Sequence, residues 1–320
     1  MLIIKDSLDD ILNEVFQRLH SSGKATKASR GNFVELTGVL IKLGNPRSRL
    51  SRSETKGRPF SCIGELFWYL SGRNDLSFIE YFIPRYAADA EADGTLRGAY
   101  GPRLFPNGQP NQFEQVLNLL KHKPTTRRAV IQLFSSEDIS IGTEYKEIPC
   151  TTTIQFMIRD NLLECFTTMR SNDAFKGLPH DIFCFTMIQE MIARCLNLEI
   201  GTYHHFVSSL HIYEVDVNKA EQYLAEGFHE NAPMPEMSNG NPFPIIPIFL
   251  EKMDRIRQGE GVSIVDSSLP DYWNDLLRLM IAYHHSQDQE VLDIIHNSLS
   301  DTYYFPFVER RKAVSRPKVD

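Results

Sequence analysis

Cysteine is sparse and unpatterned in this chain. The five residues at 62, 150, 165, 184 and 195 are odd in number and contain no C-x-x-C pair. That spacing argues against a disulfide framework and against a zinc site, so no metal is expected. Long apolar runs are missing too. FPIIPIFL (243–250) is far shorter than a membrane span and is broken by prolines, so no membrane partner is expected. The N-terminal stretch MLIIKDSLDDILNEV is acidic and amphipathic, with neither the basic region nor the small-residue site of a signal peptide, and the expected compartment is cytoplasmic. Positive charge is not in excess: 34 Lys and Arg face 41 Asp and Glu, a net charge of −7. A broad nucleic-acid surface is therefore not expected. Tryptophan occurs only at 68 and 273. Internal repeats and low-complexity segments are absent.

The hydrophobic share of 42% and charged share of 23% are those of a globular protein. Apolar residues at helical spacing predict a helix over 7–20, with Ser7 as N-cap. GNFVELTGVLIKL (31–43) alternates and predicts a strand. SRLSRSETKGRP (48–59) reads as a loop, and CIGELFWYLSG (62–72) as a buried helix ending at a glycine. Short or irregular structure is expected over 86–103, and a helix over 112–124. Strands are predicted at 128–134 and 202–213, and a hairpin over 151–170 turning at Asp160-Asn161. Further helices are read over 181–198, 217–228 and 268–299. The Pro- and Asn-rich stretch 229–245 reads as a linker or surface loop, and the charged C-terminal tail as frayed.

Cys150 follows a proline at a strand start. A lone cysteine is most often a buried structural thiol. Reactivity needs nearby positive charge, and Arg170, at the end of the hairpin's second strand, is placed to supply it. Glu65 sits in an apolar helix, where a carboxylate is costly unless paired or functional. Arg127-Arg128 reads by itself as a solvated strand end, and His211 as a satisfied core histidine.

Taken together, the pieces RPFSCIGELFWYLSG, GAYG, TRRAVIQLF, IPCTTTIQF, MRSNDAFKGLPHDIF and HIY, in this order, resemble the thymidylate synthase superfamily, which includes pyrimidine nucleotide hydroxymethylases. The resemblance covers roughly residues 26–225. It implies an α/β (α+β) fold with a large mixed sheet packed with helices, the sheets lying back to back in a homodimer. It implies a catalytic domain over 1–245, followed by a helical extension over 246–320 packed on the same domain.

The resemblance also assigns roles. Cys150 would add to C6 of a pyrimidine nucleoside monophosphate and make C5 enamine-like. C5 would then attack the methylene of 5,10-methylenetetrahydrofolate. Arg170 and Ser171 would grip the phosphate. Arg127 and Arg128 would reach the partner's site across a two-fold interface. Arg30, in SRGN, is a candidate phosphate-loop arginine, offset from the family position in a gapless comparison. Glu65 would organise water and proton transfer, Tyr100 would lie beside the nucleophile, and Asp173 near base and folate. Glu65, Asp173 and Gly177 are the expected folate contacts. His211 and Tyr213 would hold the sugar hydroxyl.

Several positions depart from the synthases. Asp181 replaces the asparagine that reads uracil. A carboxylate accepts from cytosine N4–H₂ and shares a proton with N3, as in the deoxycytidylate hydroxymethylase branch. A helix N-cap is the plainer reading of Asp181, compatible with the first. No tryptophan occurs over 80–99, where the synthases use one to keep water from the exocyclic methylene. Thr151 stands where histidine is usual, and the synthases' closing C-terminal tail is not recognisable. These features point to a folate-dependent CMP or dCMP 5-hydroxymethyltransferase. The alternatives are a divergent thymidylate synthase or uridylate hydroxymethylase, and a catalytically idle nucleotide- or RNA-binding member.

Overall fold

Residues 1–28, 31–106, 111–139 and 145–312 are described in the computed structural model. The strands are β1 (Leu2–Lys5), β2 (Lys24–Ala28), β3 (Gly31–Leu43), β4 (Val130–Gln132), β5 (Thr151–Arg159), β6 (Leu162–Met169), β7 (Asn172–Asp173) and β8 (Glu199–Tyr213). The α-helices are α1 (Leu8–Ser22), α2 (Pro59–Leu70), α3 (Leu76–Ile79), α4 (Gly101–Leu104), α5 (Gln112–His122) and α6 (Leu178–Leu196). The chain continues with α7 (Glu214–Ala225), α8 (Ile245–Arg257), α9 (Asp271–His284), α10 (Gln289–Ser298) and α11 (Phe305–Lys312).

One mixed sheet organises these elements, in the order β1-β3-β8-β6-β5-β4, with β2 on β3 and β7 on β8. The β5–β6 hairpin turns at Asp160 and Asn161, with φ of 50° and 61°. A two-residue turn that matches strand twist needs positive φ at both positions, and Asp and Asn tolerate it. β6 and β8 are parallel, so a crossover must join them. That crossover is α6, buried from Leu178 to Arg194, as its nearly continuous apolar sequence requires.

α2 carries Pro59 at its first turn and is buried at every position except Ser61. One flank meets the C-terminal helices. Phe67 stacks on Phe249 with ring centroids 4.2 Å apart, and Trp273 meets both edge-on.

Several expectations need correction. β1 and β2 escaped the sequence reading because they are too short for periodicity, and β4 is shorter than the run 128–134. The helical stretch 268–299 is split at 285–288. The expected frayed tail begins inside α11. The segment 229–245 is no free surface loop: Met234 and Met237 are buried, and their N–H groups bond Arg47 O and Glu190 Oε1, each at 2.9 Å. Methionine fills irregular gaps of this kind. Among the described residues, no helix is long and apolar enough to cross a membrane.

Candidate active site

Cys150 is half-buried at the mouth of β5. Its carbonyl accepts from Arg170 N–H at 2.9 Å, which locks the two strand ends together. The Arg170 guanidinium folds back over the same turn. It donates to Pro149 O at 2.9 Å and Ile148 O at 3.1 Å, and Nη2 lies 3.8 Å from Cys150 Sγ. The guanidinium is thus held beside the sulfur by two backbone carbonyls. Ser171, half-buried, follows directly.

Tyr100 and Glu65 approach from the helical layer. The Tyr100 hydroxyl is buried and accepts from Thr151 N and Oγ1. Burial raises its pKa well above the usual phenol range, and the nearby Asp181 and Cys150 push the same way. Glu65 Oε1 accepts from Tyr69 at 3.0 Å and Tyr86 at 2.6 Å, while Oε2 lies 2.8 Å from His180 Nδ1. Burial alone would raise the Glu65 pKa, but His180, Tyr86 and Arg85 outweigh it and hold it below the ordinary value. Burial pulls His180 down against the pull of Glu65. A charged Glu65 therefore faces a neutral His180.

Asp181 lies one turn into α6, its N–H bonded to Gly177 O at 2.9 Å. The N-cap is Gly177, so the capping reading of Asp181 is wrong. Burial drives the Asp181 pKa well up, and the charge of Glu65 adds to this, which favours the protonated acid. The neighbouring Asn172 side chain opposes the shift. Behind Asn172 runs a buried polar line: its amide lies 3.0 Å from His205 Nε2, and His205 Nδ1 lies 2.8 Å from the Tyr203 hydroxyl. Gly177 permits the crowding, since a Cβ there would come within 2.7 Å of Asn172 Oδ1.

The sugar and phosphate candidates are set by the sheet. β7 pairs Asp173 with His211 on β8. Asp173 Oδ1 accepts from Phe175 N and Lys176 N, which shapes the following turn. His211 meets Tyr213 edge-on, with centroids 5.1 Å apart. The structure therefore brings together Cys150, Arg170, Ser171, Tyr100, Glu65 and Asp181, with Asp173, Gly177, His211 and Tyr213 on adjoining elements. Arg127 and Arg128 are exposed ahead of β4, apart from this cluster. Arg30 lies outside the described residues.

Sequence reasoning passed over Tyr69, Tyr86, Asn172, His180 and His205. The available signal was polarity inside apolar runs. It also passed over Lys56, which lies 4.0 Å over the Phe175 ring and donates to Phe175 O, with its pKa pulled down to about 8 by burial.

A mixed sheet thus carries an arginine-backed cysteine at the start of β5, facing a buried carboxyl–phenol cluster. The family profile described as thymidylate synthase matches residues 50–244, and the chain belongs to that family. It is 28% identical over 223 residues to a deoxyuridylate hydroxymethyltransferase of Delftia phage PhiW-14, covering 64% of this chain and 62% of the relative. A protein of the same name from Pseudomonas phage M6 is 30% identical over 169 residues, covering 52% of this chain and 48% of the relative. The chain thus spans about half to three fifths of the length of these relatives. Thermostable thymidylate synthase A from Bacillus subtilis superposes with a TM-score of 0.59 at 21% identity, covering 70% of this chain and 86% of that one, and shows the shared fold.

Proposed function

We propose that this protein is a pyrimidine nucleotide 5-hydroxymethyltransferase. The observation that carries the reading is the polar surround of Glu65. Tyr86 and His180 both touch its carboxylate, where a methyl-forming enzyme needs an apolar shield against water. The two phage relatives named as hydroxymethyltransferases agree with it.

In this reading Cys150 Sγ attacks C6 of the base, and Arg170 favours negative charge on the sulfur before attack. Methylenetetrahydrofolate supplies the one-carbon unit. A cavity of about 810 Å³, lined by Phe82, Ile83, Pro84 and Phe175 and by Lys56, Arg58 and Arg85, fits a flat ring with an acidic tail. Glu65 and Asp173 approach its reacting end. Tyr100 donates its proton near the nucleophile, while His211 and Tyr213 face the sugar and Ser171 the phosphate. A homodimer would let the exposed Arg127 and Arg128 complete a partner's phosphate grip. Phe206 and Val130 are large apolar side chains exposed on the sheet.

Asp181 carries the choice of base. As a neutral acid its C=O accepts from cytosine N4–H₂ and its O–H donates to N3, which supports CMP or dCMP. Turned over, the same carboxyl donates to uracil O4 and accepts from N3–H. The phage relatives named for deoxyuridylate favour that second reading. One incubation with CMP, dCMP, UMP and dUMP plus the folate, read by mass spectrometry, tests both. A gain of CH₂O on one nucleotide supports hydroxymethyl transfer. A gain of CH₂ on dUMP alone would overturn it.

A further inference from the structure

The wall between Glu65 and the large cavity holds one side chain that the scheme above leaves without a task. His180 Nδ1 lies 2.8 Å from Glu65 Oε2, and His180 Nε2 lies 3.1 Å from Ser61 Oγ. Ser61 is the one residue of α2 that is not buried, and with His180 it lines the cavity. The three side chains therefore form a line from a buried carboxylate to a solvent-facing hydroxyl. Ser61 and Glu65 stand one helical turn apart on the same face of α2, and His180 on α6 bridges them.

A buried carboxylate that trades protons during turnover needs a route to water. The Oε1 side of Glu65 is closed by Tyr69 and Tyr86, phenols whose pKa values burial raises well above their usual range. They hold the carboxylate but do not exchange protons near neutral pH. The Oε2 side meets an imidazole, which accepts at one nitrogen while releasing from the other and returns to neutrality. Lys56 and Arg85 also face the ring and favour its neutral form, as neighbouring cations must.

We propose that His180 is a proton-relay residue that connects Glu65 through Ser61 to water in the cavity. The inference rests on the hydroxymethyl-transfer reading and names the group that serves its hydration step. In that step water oxygen bonds to the exocyclic methylene on C5. The methylene π pair moves onto the base as an enolate or its amino equivalent, and the water proton passes to Glu65. With the ring in its Nε2–H tautomer, the now protonated Glu65 donates to the bare His180 Nδ1 as the Nε2 proton leaves to Ser61 Oγ and on to water, and the ring ends neutral as the Nδ1–H tautomer, its N–H on the restored carboxylate. The pair on the base then re-forms the C5–C6 double bond and expels Cys150 as thiolate.

The test uses His180→Gln, which keeps polar contacts but cannot relay a proton, and His180→Gly with and without added imidazole. Each variant is compared with wild-type protein on the nucleotide that wild type hydroxymethylates. The expected result is a kcat lower by roughly 10²-fold, with nucleotide KM little changed. The acidic limb of the kcat profile is lost in His180→Gln, and imidazole partly restores His180→Gly. A His180→Gln kcat within twofold of wild type, or absence of imidazole rescue in a folded His180→Gly protein, overturns the relay. A second readout needs no turnover: ¹⁵N spectra of the His180 ring in wild type and in Glu65→Gln. The ring titration is expected to move when the carboxylate is removed, and an unmoved ring overturns the coupling. If wild type makes no hydroxymethyl product, the function reading fails while the ring spectra still judge the relay contact.

Discussion

The Tyr100 hydroxyl accepts two hydrogen bonds from Thr151, one from its N–H at 3.1 Å and one from Oγ1 at 2.8 Å. Thr151 directly follows Cys150, so the phenol and the backbone beside Cys150 form one unit. With its acceptor positions used, the phenol has its own proton left to donate into the site. Tyr100→Phe is expected to lower kcat by roughly 10²-fold. It should also destabilise by about 1–3 kcal/mol, because buried Thr151 donors lose their partner. Steady-state kinetics and thermal melts check both. A wild-type kcat would remove Tyr100 from the chemistry.

Arg170 makes its contacts to Ile148, Pro149 and Cys150 from one planar fork. Lysine carries the charge but not the fork. Arg170→Lys is expected to slow alkylation of Cys150 and weaken nucleotide binding by roughly ten- to a hundredfold, the range for losing a charged hydrogen bond. Iodoacetamide trapping of the free protein measures the first effect without turnover.

Asp181 gives stability a pH dependence of known sign. Its folded pKa lies well above the ordinary value of 3.8. In the window between the two, the folded state holds a proton that the unfolded state has released, so stability falls as pH rises. Asp181→Asn removes that term. Its Tm is expected to exceed that of wild type by a margin that widens as pH rises above the ordinary value of 3.8. A constant margin would show that Asp181 ionises normally. The same variant is expected to weaken cytosine turnover and admit uracil.

His205 works in the opposite direction. Burial lowers its pKa from 6.5 to about 3. Below 6.5 the unfolded chain takes up a proton that the folded chain refuses until about 3, so stability is lost as pH falls through that window. His205→Gln is expected to lose less Tm than wild type between pH 7 and pH 5. Parallel curves would contradict this placement of the ring.

The parts of the fold legible in sequence were those with long periods. α1 with its Ser7 cap, β3, β8 and the Asp160-Asn161 hairpin follow from local pattern. So did the chance that Cys150 and Arg170 meet, because a hairpin register fixes which strand ends lie side by side. The Glu65–His180 and Asn172–His205 contacts were not legible. Each joins elements distant in sequence, and each uses a residue that local pattern reads as ordinary helix or strand filling. The state of Asp181 was hidden for a related reason. A side chain's charge depends on burial and neighbours, and its letter alone suggested a carboxylate where burial favours the acid.

α2 has a consequence for the order in which the protein is made. Glu65 faces the candidate site, while Phe67, roughly 200° further around the helix, stacks on Phe249 and meets Trp273. During synthesis Cys150, Asp181 and Glu65 emerge well before these partners. Until residue 273 has left the ribosome, α2 has an uncovered aromatic flank, although Tyr69, Tyr86 and His180 are already there to hold its carboxylate. Nascent chains ending near 245 are expected to carry every candidate side chain of the site and still bind nucleotide poorly, so assembly of the pocket waits on its last-made wall.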